Sequence, residues 1–257
     1  MPVELVKISS TQLEGLSKQR TVFFFSVGPV EDHGPHLPMG LDLEEAYQLC
    51  LLAAQDLETH WPNWAGVIMP PAPLGIDSTT TKIAITVRPH VLRDWLVDAC
   101  RSLSLSGFCH FVCFTGHLGP RQLTAIEEAS RIIQRDGRRR KWGHALFGVN
   151  HPMPCLIPAS SALVTGKDTL NSPFWPDPEE HGGKRDTSVA LAISKESVDP
   201  SYKELPTLLK NPSRWGRNFS RKSRRLSGYW GEPSAASEEL GQLEIRSSME
   251  KVFVKMQ

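Results

Sequence analysis

TVFFFSVGPVEDHGPHLP, residues 21–38, joins two kinds of chemistry in one short stretch. TVFFFSVG (21–28) is apolar at almost every position and rich in β-branched and aromatic side chains, which predicts a strand buried on both faces of a sheet. EDHGPH (31–36) then sets two acids and two imidazoles directly beyond that strand. A strand of this kind belongs to a parallel sheet covered by helices, and ligands of such sheets gather outside the carboxyl ends of the strands. Glu31 and His33 stand two residues apart, so in extended chain they face the same way. By themselves they fit either a metal site or a structural salt bridge.

Outward from this stretch, strand-like and helix-like segments alternate, the pattern of a largely parallel α/β fold. Leu43, Ala46, Cys50, Ala53 and Leu57 recur at helical spacing. GVIMPPAPLG reads as a short strand running into a proline-rich loop, and IAITV as a further strand. Pro89 opens a helix over PHVLRDWLVDACRSL, and GFCHFVCFTGH is another strand. Leu123, Ile126, Ala129 and Ile133 mark a helix that ends in the run RRRK, read as a solvated helix end. From residue 150 to the HGG of 181–183 the chain is dense in proline, glycine and serine and reads as loop. DTSVALAIS predicts a helix from Asp186 or Thr187, and SEELGQLEIRSSMEKVFVKMQ a terminal one. The expected domain organisation is one domain over 1–257.

Twenty-nine Lys and Arg against 28 Asp and Glu leave a net charge of +1, so no global field draws nucleic acid or an anionic membrane. The basic stretch around Arg214–Arg225 reads as a solvated or subunit-contacting loop. No segment approaches the roughly 18 consecutive apolar residues of a membrane span, and MPVELVKISSTQ has no basic region followed by an apolar one. A cytoplasmic protein is expected, with no nucleic-acid and no membrane partner. Five cysteines, an odd number, argue against a disulfide framework. Cys109 and Cys113 share the parity of Phe111 and read as core thiols.

The sequence has no GxSxG, GxxxxGK[ST] or HExxH pattern. Its chemistry lies in acids and imidazoles. His117 follows the strand FVCFTG as Glu31 and His33 follow the first strand, so two strand ends bring metal-type ligands to one edge. Asp42 has two readings, because Asp42-Leu-Glu-Glu45 also fits a capping box. His36 reads as a residue that holds the loop or supports the ligands.

SVGPVEDHGPHLPMGLD resembles the signature of the creatininase family, close to PxGSxEQHGPHLPxxxD. The likeness continues through PLGIDSTTTKIAITVRPHVLRDWLVDACRSLSLSGF and FVCFTGHLGP, where the family has NGHGGN. EEHGGKRDTS is similar to the family's HAGxxETS, and GYWGEPSAASEELGQ to its WGxPxxATxExG. The resemblance implies a three-layer α/β/α sandwich with a mostly parallel sheet, and a centre of two divalent ions, Zn2+ and/or Mn2+. Glu31 would hold one ion with His117, His33 the other, and Asp42 would bridge them. Asp186, where the family has Glu, is the candidate for the second ion, with helix capping as its rival. His181 matches the catalytic histidine that passes a proton to the leaving nitrogen. Trp175 would wall the substrate and Ser78 hydrogen-bond it.

The implied reaction is hydrolysis of a non-peptide carbon–nitrogen bond in a small cyclic or linear amide, by a water that two cations deprotonate near neutral pH. A homo-oligomer, hexameric in the family, is expected. Gly119 matches the NGHGGN members, although creatininase itself has Glu there; the departures are Pro120 for Asn, Asp186 for Glu, and Trp175 and Asp177 further from His181 than creatininase's Trp-Asp pair is from its histidine. One alternative is a peptidase of cofactor maturation, and Pro120 and Asp186 keep a second in play, a non-catalytic family member.

Overall fold

The computed structural model describes residues 2–78, 83–138, 153–159, 180–208 and 227–256. Five parallel strands form the central sheet: β1 (Val3–Glu4), β2 (Thr21–Ser26), β4 (Ala65–Ile68), β6 (His110–Phe114) and β7 (Cys155–Ala159), in the order β1-β4-β2-β6-β7. The stretch TVFFFS is the middle strand and is buried at every position. β3 (Val30–Glu31) and β5 (Ala84–Ile85) pair antiparallel in a separate small sheet above it.

Alternation along β2 divides the core into two faces. Phe23 and Phe25, with Phe111 and Cys113 of β6, pack under α3 (Pro89–Leu105) and α4 (Pro120–Arg138). Val22 and Phe24, with Val112 and Phe114, pack under α2 (Leu41–His60) and α6 (Glu238–Met256). Helices therefore cover both sides of a parallel sheet, the expected α/β/α sandwich. A short capped helix, α1 (Ser10–Glu14), precedes β2, and α5 (Lys184–Ile193) packs against α6 and α2. Cys109 and Cys113 are buried thiols, as expected.

Three elements differ from the sequence reading. The segment read as loop contains β7, which pairs with β6 from His110↔Cys155 to Phe114↔Ala159. Its Pro158 is tolerated because β7 is an edge strand among the described residues, where a missing N–H breaks no second ladder. IAITV contributes only Ala84 and Ile85, outside the main sheet. α5 begins at Lys184, ahead of Asp186, because the Glu180 carboxylate accepts the backbone N–H groups of Lys184, Arg185 and Asp186 and caps the helix from outside.

From β2 the chain crosses to β4 on one side and then returns through α3 to β6 on the other. The carboxyl ends of β2 and β6 therefore border a topological switch point, where crossovers leave in opposite directions and open a crevice. Glu31, His33 and His117 follow these strand ends and lie at this point.

Candidate metal centre

Glu31 lies on β3, just beyond β2, and is fully buried. His33 follows two residues later, at 1% exposure. Asp42 sits in the first turn of α2, and His117 just past β6. The helix cap is not made by Asp42: α2 starts at Leu41 with Gly40 in the capping position and no side-chain cap hydrogen bond. The Asp42 carboxylate instead stands between two imidazoles. Its Oδ1 is 3.3 Å from His33 Nε2, and its Oδ2 is 3.2 Å from His117 Nδ1. His117 Nδ1 is also 3.0 Å from Glu31 Oε1.

Each imidazole is oriented by the main chain. His33 Nδ1 faces Glu31 O at 3.2 Å, His117 Nε2 faces Ile76 O at 2.8 Å, and His181 Nε2 faces Asp32 O at 2.7 Å. A carbonyl can only accept, so the N–H is on the nitrogen facing it and the other ring nitrogen of a neutral ring carries the lone pair. This is the arrangement by which proteins prepare a histidine to hold a metal. Two sets of buried ligand atoms converge: Glu31, Asp42 and His117, and Glu31, His33 and His181.

The electrostatics match. Burial works against a charge on His33, but Asp42 outweighs it and lifts the pKa to about 9. His117 is raised to about 10 against its own burial, by Asp42 and Glu31. Burial likewise opposes ionisation of Asp42, yet the two imidazoles hold it well below the usual carboxylate range. Protons on His33 and His117 thus stand where cations would. With His117 neutral and its N–H turned to Ile76 O, the buried Asp42 Oδ2 has no donor among the described residues. A buried carboxylate oxygen in that state is costly, and a cation beside it would remove the cost. The residues present fit a pair of divalent ions of the kind bound by imidazole and carboxylate.

His181 is packed between two rings, His33 at 4.3 Å and Trp230 at 4.7 Å, both stacked. Its backbone pairs with that of Trp230 through two hydrogen bonds. Burial and the nearby His33 charge lower its pKa. Gly182 has φ +59, and a side chain there would collide with His33 O and Tyr229, so the turn after His181 requires glycine. Trp230 was not singled out in the sequence, and the GYWG motif was its only signal.

Asp186 is buried but outside both converging sets. Its Oδ2 accepts the Gly182 N–H at 2.7 Å and its Oδ1 accepts from Arg185 Nη1 at 3.0 Å. Burial favours its neutral form, but Arg185, His33 and His181 outweigh that and lower its pKa. Gly119 leaves the position of a further carboxylate without a side chain, and a Cβ there would lie 2.5 Å from His117 Nε2. Ser78 Oγ is buried and has no hydrogen-bond partner among the described residues. His36 Nε2 meets Thr187 Oγ1 at 2.8 Å, tying the loop to α5 and matching a supporting role. Trp175 and the basic stretch after residue 208 lie outside the described residues.

A parallel α/β sandwich with a buried carboxylate–imidazole cluster at its switch point is the architecture of a candidate metal centre. The creatininase (creatinine amidohydrolase) family profile matches residues 6–254, and the chain belongs to that family. Among solved structures, a tryptophan-to-phenylalanine mutant of creatininase superposes with a TM-score of 0.70 at 19% identity, covering 97% of this chain and 95% of that one. A manganese creatininase aligns with a TM-score of 0.68 at 18% identity, covering 98% and 96%. A glutamate-to-glutamine creatininase mutant of Zn-Zn type gives the same TM-score, 0.68, at 18% identity, again over 98% and 96%. No curated protein sequence matches the chain significantly. No helix among the described residues is long and apolar enough to cross a membrane.

Proposed function

We propose that this protein is a metal-dependent amidohydrolase that cleaves a carbon–nitrogen bond of a small cyclic or linear amide. The observation that carries the reading is Asp42, a single buried carboxylate within 3.3 Å of an imidazole on either side. That is the disposition of a carboxylate shared by two cations. Glu31 and His117 would hold one ion and His33 the other, as Zn2+ and/or Mn2+, with Asp186 facing the second. Bound there, the ions would supply Lewis acidity, which acidifies a water and polarises an amide carbonyl.

The chain's own residues do the rest. Glu31 and Asp42 offset the repulsion between the cations. The backbone carbonyls of Glu31 and Ile76 fix which nitrogen of His33 and His117 faces the centre. His181, held between His33 and Trp230, carries a proton to the leaving nitrogen, and its lowered pKa keeps it neutral and able to accept one. Ser78 Oγ, buried and without a partner among the described residues, would hydrogen-bond the substrate.

One observation favours a second reading. Both Asp186 oxygens are already engaged and Gly119 offers no ligand, which suits a single-ion, non-catalytic family member. Purified protein should carry about two divalent ions per chain and open members of a panel of small lactams and linear amides, with activity lost on chelation and regained with Zn2+ or Mn2+. Protein loaded with both ions that hydrolyses none of the panel would refute the amidohydrolase reading, and a single ion at saturation would favour the second.

A further inference from the structure

Arg185 bridges α5 and α2 beside the centre, and it is buried at 7% exposure. Burying a guanidinium is costly unless its donors are engaged. Here Nη2 donates to Glu45 Oε1 at 2.6 Å and Nη1 to Glu45 Oε2 at 3.2 Å, a two-point grip on one carboxylate. Nη1 also donates to Asp186 Oδ1 at 3.0 Å, and Nε to Glu244 Oε1 at 3.4 Å. Glu45 lies three residues after Asp42 on α2, on the same helix face. The turn bearing Asp42 is therefore anchored to α5 through Glu45 and Arg185. The end of β6 rests on this turn as well, because a Cβ on Gly116, just before His117, would meet Asp42 O at 2.6 Å and Glu45 Oε2 at 2.9 Å.

Such a network is a poor way to gain stability, since apolar side chains of similar volume commonly do as well. Its geometry is what apolar packing cannot supply: fixed spacing between two carboxylates. Asp186 is also one methylene shorter than Glu, so its reach depends on where it is held. We propose that Arg185 is a positioning residue for the metal pair, fixing Asp186 and the Asp42-bearing turn of α2 across one guanidinium. The proposal rests on the two-ion reading and names the device that sets the second ion's site.

Calorimetric Zn2+ titration of the metal-free full chain, with thermal unfolding alongside, tests this on wild type, Arg185→Met and the double variant Arg185→Met/Glu45→Met. The double variant removes both members of the buried pair, so it folds where the single variant leaves Glu45 stranded. The first ion, which keeps Glu31 and His117 at the strand ends, should weaken less than the second. The second should bind about 10–100-fold more weakly in both variants, the range for loss of a group that orients a ligand. Unfolding temperature should fall in Arg185→Met and recover in the double variant while the second-ion affinity stays low. Second-ion affinity that is unchanged, or that recovers together with stability, would overturn the proposal and leave Arg185 a structural residue. Wild type that binds fewer than two ions overturns the two-ion reading itself, and the proposal with it, before any variant is compared.

Discussion

Loading of this centre with the two ions proposed would be a proton exchange, and the exchange can be counted. In the metal-free protein burial disfavours charge on both rings, but Asp42 and Glu31 hold His33 protonated to about 9 and His117 to about 10. An imidazole binds a cation only after losing its proton, so at pH 7 loading should release about two protons per chain from these rings. The sign follows from the direction of both shifts. Each folded-state pKa lies above the free value near 6.5, so the stabilisation of the metal-free protein is complete below that value. It is lost as pH rises through 9 and 10, and protons compete best with metal on the acid side. Each displaced proton is worth about 1.4 kcal/mol per pH unit, so overall loading should strengthen about a hundredfold per unit between about pH 6.5 and 8.5. Titration calorimetry in buffers of different ionisation enthalpy measures the protons released, and a pH series measures the slope. Release of less than one proton at pH 7, or an affinity flat across that window, would show that these imidazoles are not the groups that exchange.

Asp42→Ala should lose both ions together in elemental analysis, since its carboxylate stands between the two imidazoles, and a fully loaded variant would exclude the shared role. His181→Gln should keep its metal content but lose amide turnover by about 10²–10⁴-fold, the usual range for a proton-transfer group; full activity would remove it from the reaction. Gly119→Ala puts a methyl 2.5 Å from His117 Nε2, so calorimetry should show weaker first-ion binding and thermal unfolding a loss of about 1–3 kcal/mol. Unchanged values would mean that the ring has room to move.

What the sequence showed plainly was local. An uninterrupted apolar strand with acid and imidazole at its end needs no distant partner to be recognised, and β2, Glu31 and His33 stand where such a pattern puts them. Two features were ambiguous for the same reason, that capping chemistry and ligand chemistry use the same residues. Asp42-Leu-Glu-Glu45 has the spacing of a capping box, yet Asp42 turns to the imidazoles and Glu45 to Arg185. At α5 the cap is supplied by Glu180, ahead of the helix. The Arg185–Glu45 pair spans 140 residues of chain, and no periodicity in a single sequence announces a contact of that kind. β7 was hidden by proline, which argues against a central strand but not against an edge one.

The carbonyls that face His33, His117 and His181 belong to Glu31, Ile76 and Asp32. Because these acceptors are main-chain atoms, no single side-chain replacement deletes any of them. Drift at position 76, for example, can change the side chain and still leave the oxygen that His117 relies on. Inheritance of the centre is in this way separated from inheritance of its surroundings. Side chains around the centre can change while the nitrogen that each ring turns toward it stays written in the path of the backbone.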